Sequence, residues 1–247
     1  MDLNGKRLGI YIPLGYPEPK TFLEYIDLIS NLIDMLEIGI PTRSPIYDGP
    51  IIRKAHKEIL GKGVLPEHIK SYPELSKLKC DLVALAYYSE IGADLSKILR
   101  SIADLGFKCL LTPDLLIEYP EKLDLYTKAS RDNGLEPCFF ISSKTPYKLV
   151  EKISELEPYM IYLGLQASTG TSLPIQVLRN ISIARELIKG RAPLAVGFGI
   201  NSTDRLIAIL RGGADIAVVG SEVVRRLGKD PSNAVDFVRS LSNAIRG

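Results

Sequence analysis

Short apolar runs of four to seven residues recur along the chain, separated by longer stretches in which apolar residues return every three or four positions. The runs lie at Leu8–Leu14, Met35–Pro41, Asp81–Tyr87, Cys109–Pro113, Pro137–Ser142, Tyr159–Leu165, Leu194–Phe198 and Ile216–Val219. Most are continuously apolar, the mark of parallel strands covered on both faces. Between them, Lys20–Leu32, Leu95–Leu105, Tyr147–Leu156 and Ile175–Ile188 carry the stripe of an amphipathic helix. Gly106, Gly134, Gly190 and Gly213 stand where helices close, and Pro146 and Pro174 where a first turn accepts proline. Ser202-Thr203-Asp204 is a capping region for a helix over Arg205–Arg211.

Strand and helix alternate throughout, which predicts a parallel α/β fold. Eight units at roughly 30 residues each account for the 247 residues. No linker or shift in composition interrupts them. The expectation is therefore one (β/α)8 TIM barrel domain over residues 1–247.

Composition narrows the function classes. Thirty-one basic against 29 acidic residues leave a net charge of +2, too balanced for nucleic acid or an anionic membrane as bulk partner. No apolar run is long enough for a transmembrane helix, and the start lacks a signal-peptide pattern. Three cysteines, Cys80, Cys109 and Cys138, form no CxxC and no cluster with histidine. A reducing, cytoplasmic setting is expected, with no metal.

In a barrel of this kind the chemistry sits at the C-terminal ends of the strands. Glu37 is the only charge in its strand, and strand alternation turns it inward while Leu36 and Ile38 face the helices. A carboxyl group there loses hydration, its pKa rises, and it becomes fit to move protons near neutral pH. The alternative is a structural carboxylate paired with a basic residue. Asp48 follows in Tyr47-Asp48-Gly49-Pro50, which reads equally as a turn or as a second acid beside Glu37. Asp114, after the fourth strand, reads as a third polar group of the site, as a cap for a helix beginning near Tyr119 or as a support for its loop, and structural support is favoured. Gly197-Phe198-Gly199-Ile200-Asn201 and Val219-Gly220-Ser221-Glu222 end consecutive strands, where glycine amides and a helix N-terminus favour an anion such as phosphate. The small, polar segment from Gln166 to Pro174 reads as a lid. His56 and His68 lack ligand spacing and are expected on solvated helices or turns, and Arg225-Arg226 on a solvated helix face. No strand carries a lone lysine, which disfavours a Schiff-base aldolase.

With these residues in hand, the chain resembles the tryptophan synthase alpha subunit family. The resemblance is carried by Leu36-Glu37-Ile38-Gly39-Ile40-Pro41 and Pro45-Ile46-Tyr47-Asp48-Gly49-Pro50, with the family's eleven-residue step between its two acids. Gly15-Tyr16-Pro17, Pro113-Asp114-Leu115, Phe140-Ile141, Thr145-Pro146, Thr169-Gly170, Gly197-Phe198-Gly199-Ile200 and Val219-Gly220-Ser221 extend it in order along nearly the whole chain. The resemblance implies cleavage of indole-3-glycerol phosphate to indole and glyceraldehyde 3-phosphate. It implies Glu37 and Asp48 as catalytic residues, and Tyr162, Ile52 and Phe198 around the substrate. Gly170, Gly199, Gly220 and Ser221 would hold its phosphate. It further implies a beta subunit that carries pyridoxal phosphate and receives indole in an α2β2 complex, this chain itself needing no cofactor. Thr42-Arg43-Ser44 and Leu115-Leu116 depart from the family in segments linked to that partner. Another phosphate-binding barrel, such as a sugar-phosphate isomerase, and a degenerate barrel that only activates its partner are the competing readings.

Overall fold

The computed structural model describes residues 3–164, 175–197 and 199–247. Eight parallel strands form one sheet: β1 (Arg7–Pro13), β2 (Met35–Gly39), β3 (Asp81–Leu85), β4 (Cys109–Leu111), β5 (Cys138–Ser142), β6 (Met160–Gly164), β7 (Leu194–Gly197) and β8 (Ile216–Val219). Their order, β4-β3-β2-β1-β8-β7-β6-β5, is that of a barrel cut between β4 and β5. β4 spans three residues, which limits pairing at that seam. Glu136 N–H donates to the Lys108 carbonyl at 3.0 Å just below it. The buried Tyr126 hydroxyl donates to the Leu110 carbonyl and lies 3.2 Å from that of Cys138, tying the two strands from outside. The result is the near-closed TIM barrel that the strand count predicts.

Eleven α-helices surround the described strands: α1 (Pro19–Ile29), α2 (Pro50–Gly61), α3 (Tyr88–Ile91), α4 (Leu95–Ala103), α5 (Leu115–Glu118), α6 (Leu123–Asp132), α7 (Tyr147–Ser154), α8 (Ile175–Ile188), α9 (Thr203–Arg211), α10 (Ser221–Leu227) and α11 (Pro231–Arg246). α4 shows why they form: Leu95, Ile98, Leu99 and Ile102 are buried, one stripe at helical spacing. Ser202 caps α9, accepting from Arg205 N–H, as its sequence predicts. Pro146 instead stands one residue before α7, while Pro19, Pro50 and Pro231 open α1, α2 and α11. Most expected strands end one or two residues early, because Pro41, Tyr87 and Pro113 already belong to the loops. The expected ends at Leu165 and Phe198, and Pro174, lie outside the described residues.

Strand parity divides the barrel. Tyr11 and Glu37 are register partners on β1 and β2, and both side chains turn inward. Leu8, Ile10, Leu36 and Ile38 face outward into the buried layer beneath the helices. Ion pairs gather at the N-terminal ends of the strands, with Arg7 2.5 Å from Asp81 and Arg185 2.5 Å from Asp215. That end serves stability, and the opposite end is left for chemistry.

Candidate active site

A cavity of about 300 Å³ opens at the C-terminal ends of the strands. Glu37, Asp48, Ile52, Tyr162, Gly199, Gly220 and Ser221 line it together. Phe198 and Gly170 lie outside the described residues, as does the expected lid from Gln166 to Pro174. Residues from the second strand and from the last two therefore meet at one mouth, although more than 160 positions separate Asp48 from Ser221 in the chain.

Glu37 reaches the cavity from the middle of β2 and is only 1% exposed. Among the described residues, neither carboxyl oxygen has a hydrogen-bond partner. Burial first, and the charge of Asp48 second, push its pKa from 4.5 to about 8. No basic residue pairs with it among the described residues, so the structural alternative finds no support. Leaving a carboxyl group buried and unpartnered costs stability, the signature of a group kept for another purpose.

Asp48 is both things its sequence allowed. Its N–H donates to the Pro45 carbonyl at 3.1 Å, closing a turn. Arg53 pins that loop, donating from Nε to the Asp48 carbonyl at 2.7 Å and from Nη2 to that of Ile46 at 3.0 Å. The turn delivers the carboxylate into the cavity, where Oδ2 accepts from the Tyr87 hydroxyl at 2.8 Å. Burial raises its pKa to about 6, and the Tyr87 bond and the Arg53 charge hold it below that of Glu37. The pair thus splits into an acid that keeps its proton at pH 7 and one that has lost it.

The walls suit a flat ring. Tyr47 stacks parallel to Tyr87 with centroids 6.3 Å apart, Phe140 lies 6.4 Å from Tyr47, and Phe140 stacks on Tyr162 at 5.7 Å. Two glycines make room for the floor. A β-carbon at Gly197 would overlap the Tyr162 hydroxyl, and one at Gly39 the Tyr11 hydroxyl. Gly199, just past β7, and Gly220 and Ser221, between β8 and α10, line the same cavity, and Arg205 Nη1 donates to the Gly199 carbonyl at 2.7 Å.

Tyr11, Tyr47, Tyr87, Phe140 and Arg205 line the cavity without a sequence signal that names them for it. For Tyr11 only its inward turn was legible: the parity that turns Glu37 inward does the same for its register partner.

His56 corrects an expectation. It is fully buried, not solvated, because it occupies the inner stripe of α2 with Ile52, Ala55 and Ile59. That spacing, at positions 52, 55, 56 and 59, was visible in the chain. His68 is partly buried in a short helical turn, its Nδ1 accepting from Leu65 N–H. Arg226 is only partly solvated: it bonds Glu222 at 2.7 Å and lies over the Phe237 ring at 4.3 Å, while Arg225 is exposed and bonds the same carboxylate.

Asp114 supports the site from outside. Buried, it accepts from Tyr88 N–H at 2.7 Å and Ser89 N–H at 2.9 Å, capping α3 and not a helix near Tyr119. Those bonds fix the backbone next to Tyr87. Asp114→Ala strands two amides, and urea unfolding is expected to show a loss of about 3 kcal/mol. A loss below about 0.5 kcal/mol, the scale of an ordinary surface change, contradicts this support.

Among the described residues, no group of three or more His, Cys, Asp or Glu side chains is arranged to hold a metal ion, and no helix is long and apolar enough to cross a membrane.

Residues 2–246 match the family model of the tryptophan synthase alpha chain. The tryptophan synthase alpha chain of Saccharolobus solfataricus is 31% identical over 241 residues, covering 96% of each chain. That of Sulfurisphaera tokodaii is 30% identical, covering 98% of this chain and 97% of its own. In fold, the chain superposes on the tryptophan synthase alpha-subunit of Pyrococcus furiosus with a TM-score of 0.87 and 24% identity over the full length of both. The chain belongs to the tryptophan synthase alpha chain family, the indole-3-glycerol-phosphate lyases of tryptophan biosynthesis.

Proposed function

We propose that Glu37 and Asp48 carry out the cleavage of indole-3-glycerol phosphate as an acid–base pair. The observation that carries this reading is that both acids line one cavity with an aromatic wall, and burial has split their pKa values to either side of pH 7. Breaking the bond between indole C3 and the glycerol chain requires C3 to become a leaving carbon. Protonated Glu37 gives its proton to C3, and the ring becomes cationic at nitrogen. The Asp48 carboxylate, held by Tyr87, accepts the ring N–H and stabilises that charge. The Glu37 carboxylate then takes the proton of the adjacent glycerol hydroxyl. The C–C bond breaks, its electron pair restores the aromatic ring, and the hydroxyl carbon becomes the aldehyde. Glu37 ends protonated, as it began.

Ile52, Phe198, Tyr162 and the Tyr87–Tyr47–Phe140 wall would hold the indole. Gly170, Gly199, Gly220 and Ser221 would bind the phosphate, with backbone amides at the start of α10 facing the anion. Anchoring that remote end orients the reacting bond.

On this reading the chain would work with a beta subunit that uses pyridoxal phosphate and takes up the indole, in an α2β2 complex. Ile46, 54% exposed, and Ile117, 39% exposed, offer apolar surface beside the mouth for such a partner. Leu115 and Leu116, in contrast, are buried. The three buried, free cysteines fit a cytoplasmic location.

The test is steady-state indole release from indole-3-glycerol phosphate across pH. The active form needs Asp48 ionised and Glu37 protonated. kcat/KM is therefore expected to be bell-shaped, falling below about pH 6 as Asp48 gains a proton and above about pH 8 as Glu37 loses one. Absence of indole release, alone and with a beta subunit, overturns the reading. A sugar-phosphate isomerase would give no indole at any pH.

A further inference from the structure

The proton-transfer scheme leaves one buried pair in the cavity wall without a task. Tyr11, inward on β1, and His56, on the inner stripe of α2, lie with Oη and Nε2 2.9 Å apart. Both are buried, and Tyr11 lines the cavity while His56 stands behind it. The imidazole tautomer follows from its other side. Thr42 N–H donates to Nδ1 at 3.4 Å, so Nδ1 carries no proton and Nε2 does. Thr42 is itself held: its hydroxyl donates to Glu90, and the next two amides, Arg43 N–H and Ser44 N–H, reach the same carboxylate oxygen at 2.9 and 3.0 Å. Burial lowers the His56 pKa to about 4, so the ring stays neutral wherever the enzyme works. Nε2–H must then donate to the Tyr11 oxygen. The phenolic hydrogen of Tyr11 is left to donate elsewhere, and among the described residues no other group lies within hydrogen-bond reach of that hydroxyl.

The position of Tyr11 says where that hydrogen goes. One side of its ring packs against Gly220, where a β-carbon would meet its Cδ1 at 3.3 Å, and its hydroxyl lies over Gly39, two residues past Glu37. The ring thus spans the floor from the phosphate end of the cavity to the strand that carries the acid. A three-carbon chain joining phosphate to indole has to cross the same floor.

We propose that Tyr11 is a further catalytic residue, donating its hydroxyl hydrogen to the glycerol oxygen that becomes the aldehyde, and that His56 is a positioning residue that directs this hydrogen into the cavity. The Tyr11 proton is not transferred. Its hydrogen bond strengthens as charge builds on the oxygen while Glu37 removes the hydroxyl proton, which lowers the barrier to C–C cleavage.

This inference rests on the assignment of Glu37, and the test keeps the two apart. Wild-type indole release and its loss in Glu37→Gln establish that assignment independently. Tyr11→Phe, His56→Leu, His56→Gln and the double variant Tyr11→Phe/His56→Leu are then assayed. Removal of a preorganised donor to a developing oxyanion costs about 10²-fold in kcat, and that loss is expected for Tyr11→Phe with KM little changed. His56→Leu is expected to lose a similar factor, and the double variant no more than Tyr11→Phe, because both act through one hydrogen bond. His56→Gln, which offers an amide donor to Tyr11 and an acceptor to Thr42, should recover part of the loss. Affinity for 3-(indol-3-yl)propyl phosphate, which lacks the chain hydroxyls, should stay within about twofold in every variant, since the donor has nothing to bond there. Retention of wild-type kcat by Tyr11→Phe overturns the proposal and leaves the Glu37 assignment standing. Equal losses of kcat and of analogue affinity overturn it as well, because they mark a pair that only supports the wall. If His56→Leu does not fold, Tyr11→Phe and His56→Gln decide.

Discussion

Glu37→Gln is expected to lower kcat for indole release by about 10³-fold or more, within the range for loss of a positioned acid–base group. Glutamine keeps the volume and the buried polar end but neither gives C3 a proton nor takes one from the glycerol hydroxyl. Substrate affinity should change little, since the aromatic wall and the phosphate end are untouched. Stability should move the opposite way. The folded protein holds the Glu37 proton up to about pH 8, against 4.5 for an exposed carboxyl group. Below pH 4.5 both folded and unfolded chains are protonated and the burial of Glu37 carries no ionisation cost. As pH rises from 4.5 through 8 the unfolded chain ionises first, and stability is progressively lost. Glutamine escapes that loss. The variant should therefore match wild type in urea unfolding near pH 4 and exceed it by a few kcal/mol near pH 9, at about 1.4 kcal/mol per pH unit. Wild-type turnover in a folded Glu37→Gln protein removes Glu37 from the mechanism.

Asp48→Asn is expected to cost about 10²-fold in kcat, because a neutral amide stabilises a cationic ring far less than a carboxylate in a desolvated site. The amide oxygen still accepts from Tyr87, so the loop geometry should survive. The pH profile makes a second, sharper test. The acid limb near pH 6 should vanish with the group that produces it. The alkaline limb should move below about pH 8, because the Asp48 charge is one of the two causes that raise Glu37. An unchanged rate and an unmoved alkaline limb together exclude Asp48 from the chemistry.

Glu37 was legible because one charge in an apolar strand has few explanations, and strand parity alone turns it inward. Asp48 was half legible: Asp-Gly-Pro announces a turn whether or not the turn carries a functional carboxylate. Asp114 was rightly read as support, but its partners, the amides of Tyr88 and Ser89, lie on a different unit and no local spacing links them. His56 was misread because a polar residue on a helix defaults to solvent, although its neighbours at 52, 55 and 59 form the buried stripe.

The order of elements, the barrel and the inward turn of Glu37 follow from the chain itself, because hydrophobic period and strand alternation are local properties that each residue shares with its near neighbours. Which side chains meet is not local. The contacts among the Tyr87, Tyr47, Phe140 and Tyr162 rings, the fit of two tyrosines over Gly39 and Gly197, and the bond between Tyr11 and His56 join different strands and helices. They exist only once barrel closure fixes the register of one strand against the next. The same closure withdraws water from two carboxyl groups and sets their pKa values apart, and that desolvation is what turns two common acidic residues into a proton donor and a counter-charge.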